Sequence, residues 1–254
     1  MDIRMLVIDL DGTLLHSDKT LSAHSAEILQ HCREKGIKTV FASARPLRDI
    51  LPYRDIFDPD AIIFHTGAGV YQNGVSKFIS VIPADDGNAV LQKILAKYPD
   101  AKLCAEIGND FYSNFDAHIL WPFTEYAFDD FSKPFDCGFY KIILYTADLG
   151  CFDDICALLP ETAYARTAEN RLILIMPKNI TKLCGVELLC SRWDIPIEKT
   201  AAFGDDHIDL DILTHCGIGV AVKNAIPEAV AAADFVTAEN DEDGVALWLE
   251  ENIL

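Results

Sequence analysis

The chain has 254 residues, of which half are hydrophobic and 24% charged, and its 40 acidic residues against 21 basic ones give a formal net charge of −19. This length suits one large domain or two modest ones, and the composition excludes wholesale disorder. No apolar run is long enough to span a membrane, the first residues lack a secretion signal, and no Lys/Arg cluster favours nucleic acid. We therefore expect a cytoplasmic protein without membrane or nucleic-acid partners.

The cysteines and histidines show no metal-binding pattern. Eight cysteines are scattered without any C-x-x-C pair, and the seven histidines lack a zinc-ligand spacing. Cysteines in such a pattern are typically reduced and act as small, half-buried hydrophobic residues. Because the negative charge would repel a small anionic substrate, an anion site in this chain requires a metal ion or a few placed cations.

Strand-like and helix-like segments alternate in the first third of the chain. The predicted elements are a strand over 3–8, a helix over 21–35, a strand over 37–42, a helix beginning at Pro46 and a strand over 61–64. Ser22 is the expected N-cap of the first helix, and Gly36 is its expected left-handed C-cap. This alternation predicts βαβ units of a parallel sheet.

The pattern changes near residue 83 and returns near residue 179. Turn residues at 72–74, 108–110 and 169–170 separate strand-like pairs and predict hairpins. Between them we predict helices over 89–98 and 149–159 and a strand over 139–146. From 181 the predicted elements are helices over 181–192, 206–214, 225–233 and up to 248, with strands over 200–203, 217–220 and 235–236.

These segments predict an α/β protein with a doubly wound, Rossmann-like parallel sheet. The core would comprise residues 1–82 and 179–254, and residues 83–178 would form an inserted α+β domain. In an open parallel sheet, ligands bind beyond the carboxyl ends of the strands.

Two carboxylates follow the first predicted strand at such an end. Asp9 and Asp11, in the run DLDGTL, are spaced i and i+2 across a strand end and a turn. At that spacing they can act on one reacting centre in different roles, one as nucleophile and the other as acid and base. Ordinary turn chemistry is the alternative interpretation, since Asp and Gly are common in turns.

The run at 9–14 resembles the first motif of the haloacid dehalogenase superfamily, whose members are mostly magnesium-dependent phosphatases. Three further segments resemble the other motifs in order, namely 41–46, Lys182 within 179–182, and 204–209. Residues 240–246 resemble the end of Cof-type phosphatases, and an insertion between the second and third motifs is typical of cap subclass IIB. The resemblance covers essentially the whole chain.

The resemblance implies a role for each acidic motif residue. Asp9 would attack phosphorus and form an aspartyl-phosphate, and Asp11 would protonate the leaving group and then activate water. Mg²⁺ would be held by the Asp9 carboxylate, the Asp11 backbone carbonyl and Asp205, with Asp209 acting from nearby or through water. The adjacent Asp206 and His207 are expected to cap the following helix, with a contribution to phosphate binding as the alternative.

Phosphate binding is assigned to Leu10, Ser43, Ala44 and Lys182. Ser43 ends the second strand and can donate its hydroxyl and its backbone N–H, helped by the N–H of Ala44. Lys182 opens a helix, where a cation opposes the helix dipole, so a phosphate contact gives it a role. Without the resemblance, a surface lysine is the simpler interpretation. Arg45 is expected to meet the substrate or an acidic residue of the insertion.

The leading hypothesis is a phosphatase acting on a small phosphorylated metabolite such as a sugar phosphate, with the insertion setting specificity. Ile208 and Thr66 stand where Cof-type phosphatases usually have asparagines, so a weakly active member that only binds phosphorylated ligands is one alternative. A phosphoryl-transferring mutase would use the same aspartate. A signalling receiver domain shares the acidic pair and lysine but is about half as long and lacks the insertion.

Overall fold

The computed structural model describes residues 2–78, 80–108, 110–122, 124–168 and 171–254. Contacts divide the chain into two compact units, one formed by Met1–Ile79 with Ile180–Leu254 and the other by Ser80–Asn179. The predicted turn residues Asn109, Glu169 and Asn170 lie outside the described residues. None of the described helices is both long and apolar enough to cross a membrane.

Strands and helices alternate in the first unit and are mixed in the second. The strands in chain order are β1 Met5–Ile8, β2 Lys38–Ala42, β3 Ala61–Phe64, β4 Gly69–Gln72, β5 Val75–Phe78, β6 Lys102–Ile107, β7 Asp110–Ser113, β8 Ala127–Phe128, β9 Phe139–Tyr145, β10 Ala163–Ala168, β11 Leu172–Pro177, β12 Thr200–Gly204, β13 Ile218–Ala221 and β14 Phe235–Val236. The helices are α1 Ala23–Glu34, α2 Leu47–Ile50, α3 Ala84–Lys97, α4 Phe152–Cys156, α5 Lys182–Trp193, α6 Leu210–His215, α7 Pro227–Ala232 and α8 Gly244–Asn252.

The first unit is built on an eight-stranded sheet in the order β14-β13-β12-β1-β2-β3-β4-β5. The strands from β14 to β3 are parallel, and β4 and β5 add an antiparallel hairpin at one edge. This arrangement confirms the predicted parallel α/β core. It places β1 between β2 and β12, at the centre of the sheet.

Both faces of β1 are buried, as its unbroken apolar run predicts. Met5 and Val7 pack in a cluster with α5 and α6 residues, whereas Leu6 and Ile8 pack in another with residues of α1 and α8. Successive side chains of a strand point to opposite faces, so the four residues supply both layers. The sheet is therefore doubly wound.

The predicted ends of α1 are confirmed. Ser22 caps the helix through its side chain, which accepts a hydrogen bond from the Ser25 N–H at 2.9 Å. Gly36 has φ of +82° and follows the last helical turn, where its missing Cβ permits the left-handed conformation. The β4–β5 hairpin likewise turns at Asn73 and Gly74, both with positive φ.

Several other predicted boundaries were wrong by a few residues. The predicted helix over 206–214 splits into a 3₁₀ turn and α6, because Asp206 and Asp209 form a capping box at its start. The predicted helix over 149–159 shortens to a 3₁₀ turn and α4. The strand predicted after the 72–74 turn begins at Val75 and is described to Phe78, and Ile79 lies outside the described residues.

The second unit contains a six-stranded sheet in the order β10-β11-β9-β6-β7-β8. All of its pairs are antiparallel except β7 with β8, and the two predicted hairpins appear as β6–β7 and β10–β11. Residues of α3 and α4 pack with inner residues of β6, β9 and β11 in one apolar cluster. The unit is thus an α+β layer pair.

Candidate active site

The site lies where the central strands of the first unit end. Asp9 follows β1, Ser43 follows β2 and Asp205 follows β12, and these three parallel strands are neighbours in the sheet. Lys182 is the first residue of α5. The residues predicted from the sequence therefore converge at the carboxyl ends of the central strands, where open α/β sheets bind ligands.

A tight turn carries Asp11 away from the strand. The Leu10 carbonyl accepts hydrogen bonds from the N–H groups of Thr13, Leu14 and Leu15 at 3.4, 3.2 and 2.8 Å. Gly12 has φ of +80°, and a Cβ at this position would lie 2.5 Å from Asp205 Oδ2. Asp205 Oδ1 accepts a hydrogen bond from the Thr13 hydroxyl at 2.8 Å. The turn is therefore built directly against Asp205.

Replacing Gly12 by alanine is expected to cost both stability and activity. An alanine in the left-handed conformation lowers the free energy of unfolding by about 1 kcal/mol, and the added methyl group also has to displace the Asp205 carboxylate. Gly74→Ala is the matched control, because Gly74 has φ of +79° and an added methyl group there would meet nothing within 4 Å. Urea denaturation should show a loss of stability in both variants, whereas the phosphatase activity that the resemblance implies should fall only in Gly12→Ala. Equal activities in the two variants would contradict the role of this contact.

Lys182 is a buried ion-pairing residue. Its side chain is 0% exposed, and Nζ donates to Asp9 Oδ1 and, at 2.6 Å, to Asp209 Oδ1. The surface-lysine interpretation is therefore wrong. A positive φ at Gly67 lets the backbone before β4 pass closely over the Thr181 carbonyl, where a side chain would clash.

Three carboxylates lie together at this site, and two of them, those of Asp9 and Asp209, are bonded to Lys182. Asp9, Asp205 and Asp209 each offer an oxygen atom, and these oxygens lie within 4.8 Å of one another. Asp209 Oδ2 also accepts the backbone N–H groups of Asp205 and Asp206, at 3.1 and 3.2 Å. An uncompensated negative charge is costly at a buried site, and oxygen-only ligands suit a hard divalent cation. The donor set fits Mg²⁺.

The electrostatics of the cluster reflect this excess of negative charge. Burial, together with the charges of Asp209 and Asp205, raises the pKa of Asp9 well above its usual range, against the lowering effect of Lys182. Burial also raises the pKa of Asp205 to about 6, with a further contribution from Asp209, against the Thr13 hydrogen bond. Burial alone would lower the pKa of Lys182, but the charges of Asp209 and Asp9 outweigh it and raise that pKa, so the lysine stays protonated. An added cation would favour the ionised carboxylates.

Asp11 has a different environment from the other three aspartates. Its carboxylate receives two hydrogen bonds from Arg45, Nε to Oδ2 at 2.6 Å and Nη2 to Oδ1 at 2.7 Å, and one from Lys19 Nζ at 2.8 Å. Burial pushes the pKa of Asp11 upward, but the Arg45 and Lys19 contacts outweigh it and the pKa is lowered. Arg45 thus contacts Asp11, a partner that the sequence did not indicate.

Ser43, which the resemblance assigns to phosphate binding, has only part of its hydrogen-bonding capacity available for that role. The Ser43 backbone N–H donates to the Ile63 carbonyl at 2.9 Å, so the expectation that it serves phosphate is wrong: the sheet ladder uses it. Its hydroxyl oxygen accepts the Arg45 N–H at 3.1 Å, which leaves the hydroxyl proton to donate. Thr66, with φ of +57°, donates its backbone N–H to the Ser43 carbonyl at 3.0 Å.

Some contributors to the site were missed by sequence reasoning. Lys19 and Tyr53 belong to the surroundings of Asp11, since the Tyr53 hydroxyl accepts from Arg45 Nη1 at 3.0 Å and donates to the Lys19 carbonyl at 2.9 Å. Thr13 lies within the first motif, where the resemblance assigns it no role. The expected capping by Asp206 is confirmed, because its side chain accepts the His207 N–H at 2.7 Å.

Comparison with known proteins decides the family. The profile of the haloacid dehalogenase-like hydrolase family matches residues 6–249. The chain belongs to this family. As a haloacid dehalogenase-like hydrolase it is an enzyme of the class that the motifs predicted, and the receiver-domain alternative is excluded.

Similar proteins match this haloacid dehalogenase-like hydrolase over nearly their full lengths. A Haemophilus influenzae protein is 30% identical, covering 96% of this chain and 95% of its own. The Bacillus subtilis 5-amino-6-(5-phospho-D-ribitylamino)uracil phosphatase YitU is 26% identical, covering 97% and 96%. The solved structure of the subclass IIB sugar phosphatase BT4131 superposes with a TM-score of 0.84 at 22% identity, covering 98% of each chain, and shows the shared fold.

Proposed function

We propose that this hydrolase is a Mg²⁺-dependent phosphatase that hydrolyses small phosphomonoesters through an aspartyl-phosphate on Asp9. The observation that carries the proposal is the cluster of buried Asp9 and Asp209 with half-buried Asp205, two of which pair with Lys182 at the end of the central strand. It combines a carboxylate nucleophile, a cation for phosphate and an oxygen-only cation site. Phosphoryl transfer to a carboxylate draws on all three.

In the first half-reaction the carboxylate of Asp9 attacks phosphorus, a new O–P bond forms, and the bond to the leaving oxygen breaks. Lys182 and the Ser43 hydroxyl bind the phosphoryl oxygens, with the backbone around Leu10 and Ala44 completing the phosphate site. Asp209 holds the ammonium group of Lys182 in place at 2.6 Å. Bound Mg²⁺, held by Asp9, the Asp11 carbonyl, Asp205 and Asp209, would neutralise charge on the phosphoryl group.

Asp11 acts as the general acid in the first half-reaction and as the general base in the second. As an acid it gives its proton to the leaving oxygen, so that an alcohol departs; as a base it takes a proton from the water that attacks the aspartyl-phosphate. The guanidinium of Arg45 favours the ionised form of Asp11 and opposes the first of these steps. Arg45 must therefore loosen its contact when Asp11 carries the proton.

Removing Arg45 is expected to move the pH dependence of catalysis. Because Arg45 lowers the pKa of Asp11, the Arg45→Met variant should keep Asp11 protonated to a higher pH. The alkaline limb of kcat/KM for an alkyl phosphate should then shift upward in pH. Arg192→Met is the control, since Arg192 donates to Gln72 on the protein surface. An unmoved or lowered limb would refute the assignment of Asp11.

The substrates of two similar proteins indicate the substrate class. YitU acts on a phosphorylated ribityl chain and BT4131 on sugar phosphates, as their names state. Both substrate types are phosphomonoesters of polyhydroxylated carbon chains. We assign the same class, a sugar or sugar-alcohol phosphate, to this enzyme.

The test is phosphate release from p-nitrophenyl phosphate and a panel of sugar and sugar-alcohol phosphates. We expect turnover that requires Mg²⁺, stops with EDTA and recovers when Mg²⁺ is added in excess. Chromatography of the product should show the free sugar and no isomeric phosphate, which separates a phosphatase from a mutase. Release that persists in EDTA, or no release from any substrate, would refute the proposal.

A further inference from the structure

Two backbone carbonyls of the loop that carries Asp11 are bonded by distant asparagine side chains. The Gly12 carbonyl accepts a hydrogen bond from Asn224 Nδ2 at 2.7 Å. The Leu15 carbonyl accepts one from Asn240 Nδ2 at 2.9 Å. These donors are separated from their acceptors by 212 and 225 residues, so tertiary structure alone brings them to the loop.

The two asparagines are bonded to each other as well. The Asn240 N–H donates to Asn224 Oδ1 at 3.0 Å, so each amide is held while it binds its carbonyl. Asn240 is 6% exposed, whereas Asn224 lies at the surface. We call this pair the asparagine clamp. Linked hydrogen bonds of this kind restrict a loop more than separate ones do.

Neighbouring contacts extend the clamp along the same loop. Asp241 Oδ1 accepts the Ser17 N–H at 2.6 Å, and Asp243 Oδ1 lies 2.9 Å from His16 Nε2. The segment 240–243 therefore follows the loop from Leu15 to Ser17. The clamp itself acts closest to Asp11, because its first acceptor is the next residue, Gly12.

The clamp fixes the backbone that directly follows Asp11. Gly12 has a left-handed conformation, so its peptide group can rotate more freely than that of other residues, and the Asn224 bond fixes that group. Loss of either hydrogen bond would also lower stability, but any backbone hydrogen bond has that effect, so a stability loss alone does not show positioning. A shift of about 1 Å in a catalytic group costs far more in rate, about 100-fold.

We propose that Asn224 and Asn240 are positioning residues that hold Asp11 in line with the leaving oxygen of the substrate. The inference rests on the proposed function, since it takes Asp11 as the proton donor. Neither asparagine touches the substrate; both act through the Gly12–Leu15 backbone. Loss of the clamp should impair proton delivery more than nucleophilic attack by Asp9.

Leaving-group dependence measures that difference. p-Nitrophenolate leaves without a proton, whereas an alkoxide requires one, so only the alkyl substrate depends on the acid. In Asn224→Ala and Asn240→Ala we expect the ratio of kcat/KM for the alkyl phosphate to kcat/KM for p-nitrophenyl phosphate to fall at least about 10-fold. Asn252→Ala is the matched control, since Asn252 Nδ2 bonds the Trp248 carbonyl at 2.9 Å within α8, and its ratio should stay unchanged.

Asp11→Asn in the same assay separates the two possible failures. If Asp11→Asn leaves the ratio unchanged, the acid role in the proposed function is wrong. If Asp11→Asn lowers the ratio but both asparagine variants reduce the two substrates equally, the clamp is only structural and this inference is overturned. Asn224→Ala removes a surface side chain, so it tests the inference even if Asn240→Ala fails to fold.

Discussion

Asp9→Asn is expected to lower kcat for phosphate release about 10³- to 10⁵-fold. The amide keeps the shape of the carboxylate but lacks the nucleophilic oxygen, so no aspartyl-phosphate can form. Asp9 is buried and its pKa is raised, so the neutral side chain removes a costly charge and the variant should fold normally. Steady-state phosphate release and thermal unfolding measure the two effects.

Asp18→Asn is the matched control for that substitution. Asp18 is an exposed aspartate of the same loop, and its carboxylate bonds the Thr20 hydroxyl and N–H. Its activity should stay within twofold of the unchanged enzyme, the scatter expected of a surface substitution worth about 0.5 kcal/mol or less. Comparable loss in both variants, or substantial turnover by Asp9→Asn, would show that Asp9 is not the nucleophile.

Lys182→Met is expected to lower the free energy of unfolding by about 3–5 kcal/mol at neutral pH. Methionine fills the space of the stem but leaves the buried carboxylates of Asp9 and Asp209 without their cation. Phosphate binding should weaken as well, because the ammonium group also serves the substrate in our mechanism. Urea denaturation and the KM for an alkyl phosphate measure these losses.

The pH dependence of that deficit has a definite sign. Asp9 already has a raised pKa in the folded protein, and loss of Lys182 removes the charge that lowers it, so the penalty is fully present at high pH, where Asp9 is ionised. The penalty shrinks as the pH falls and Asp9 takes up a proton. Lys178→Met, an exposed lysine just before α5, should change stability by no more than about 0.5 kcal/mol. A deficit that grows toward low pH would contradict the buried ion pairs.

The fold could be predicted largely from local patterns. The apolar run of β1, the capping Ser22 and the Asn73–Gly74 turn each depend on a few adjacent residues, and all appear where the sequence placed them. Boundaries were less accurate where side chains decide them. The Asp206–Asp209 capping box shortens α6, because it closes a separate 3₁₀ turn first.

The sequence predicted only those site residues that lie at strand ends or within the motifs. Asp9 and Asp205 each follow a strand, so their meeting follows from the parallel sheet. The Arg45–Asp11 pair joins residues 34 apart, and the Asn224 bond to Gly12 joins residues 212 apart. Neither contact has a local signal, because each depends on where a loop packs in three dimensions.

The sequence also could not show which backbone N–H groups are free to bind a ligand. Ser43 was expected to offer its N–H to phosphate, but the sheet ladder with Ile63 takes it. The sequence shows which side chain lies at the end of a strand. Whether its peptide group is free depends on how far the neighbouring strand extends.

The most direct test of the proposed mechanism is detection of the phosphoryl group on Asp9. The enzyme is mixed with Mg²⁺ and a sugar phosphate, quenched in acid within milliseconds, digested, and analysed by mass spectrometry. We expect a peptide containing Asp9 to carry one phosphoryl group, located on Asp9 by fragmentation, and to be unmodified in Asp9→Asn. Turnover with the phosphoryl group on another residue, or turnover by the Asp9→Asn enzyme, would contradict the central claim.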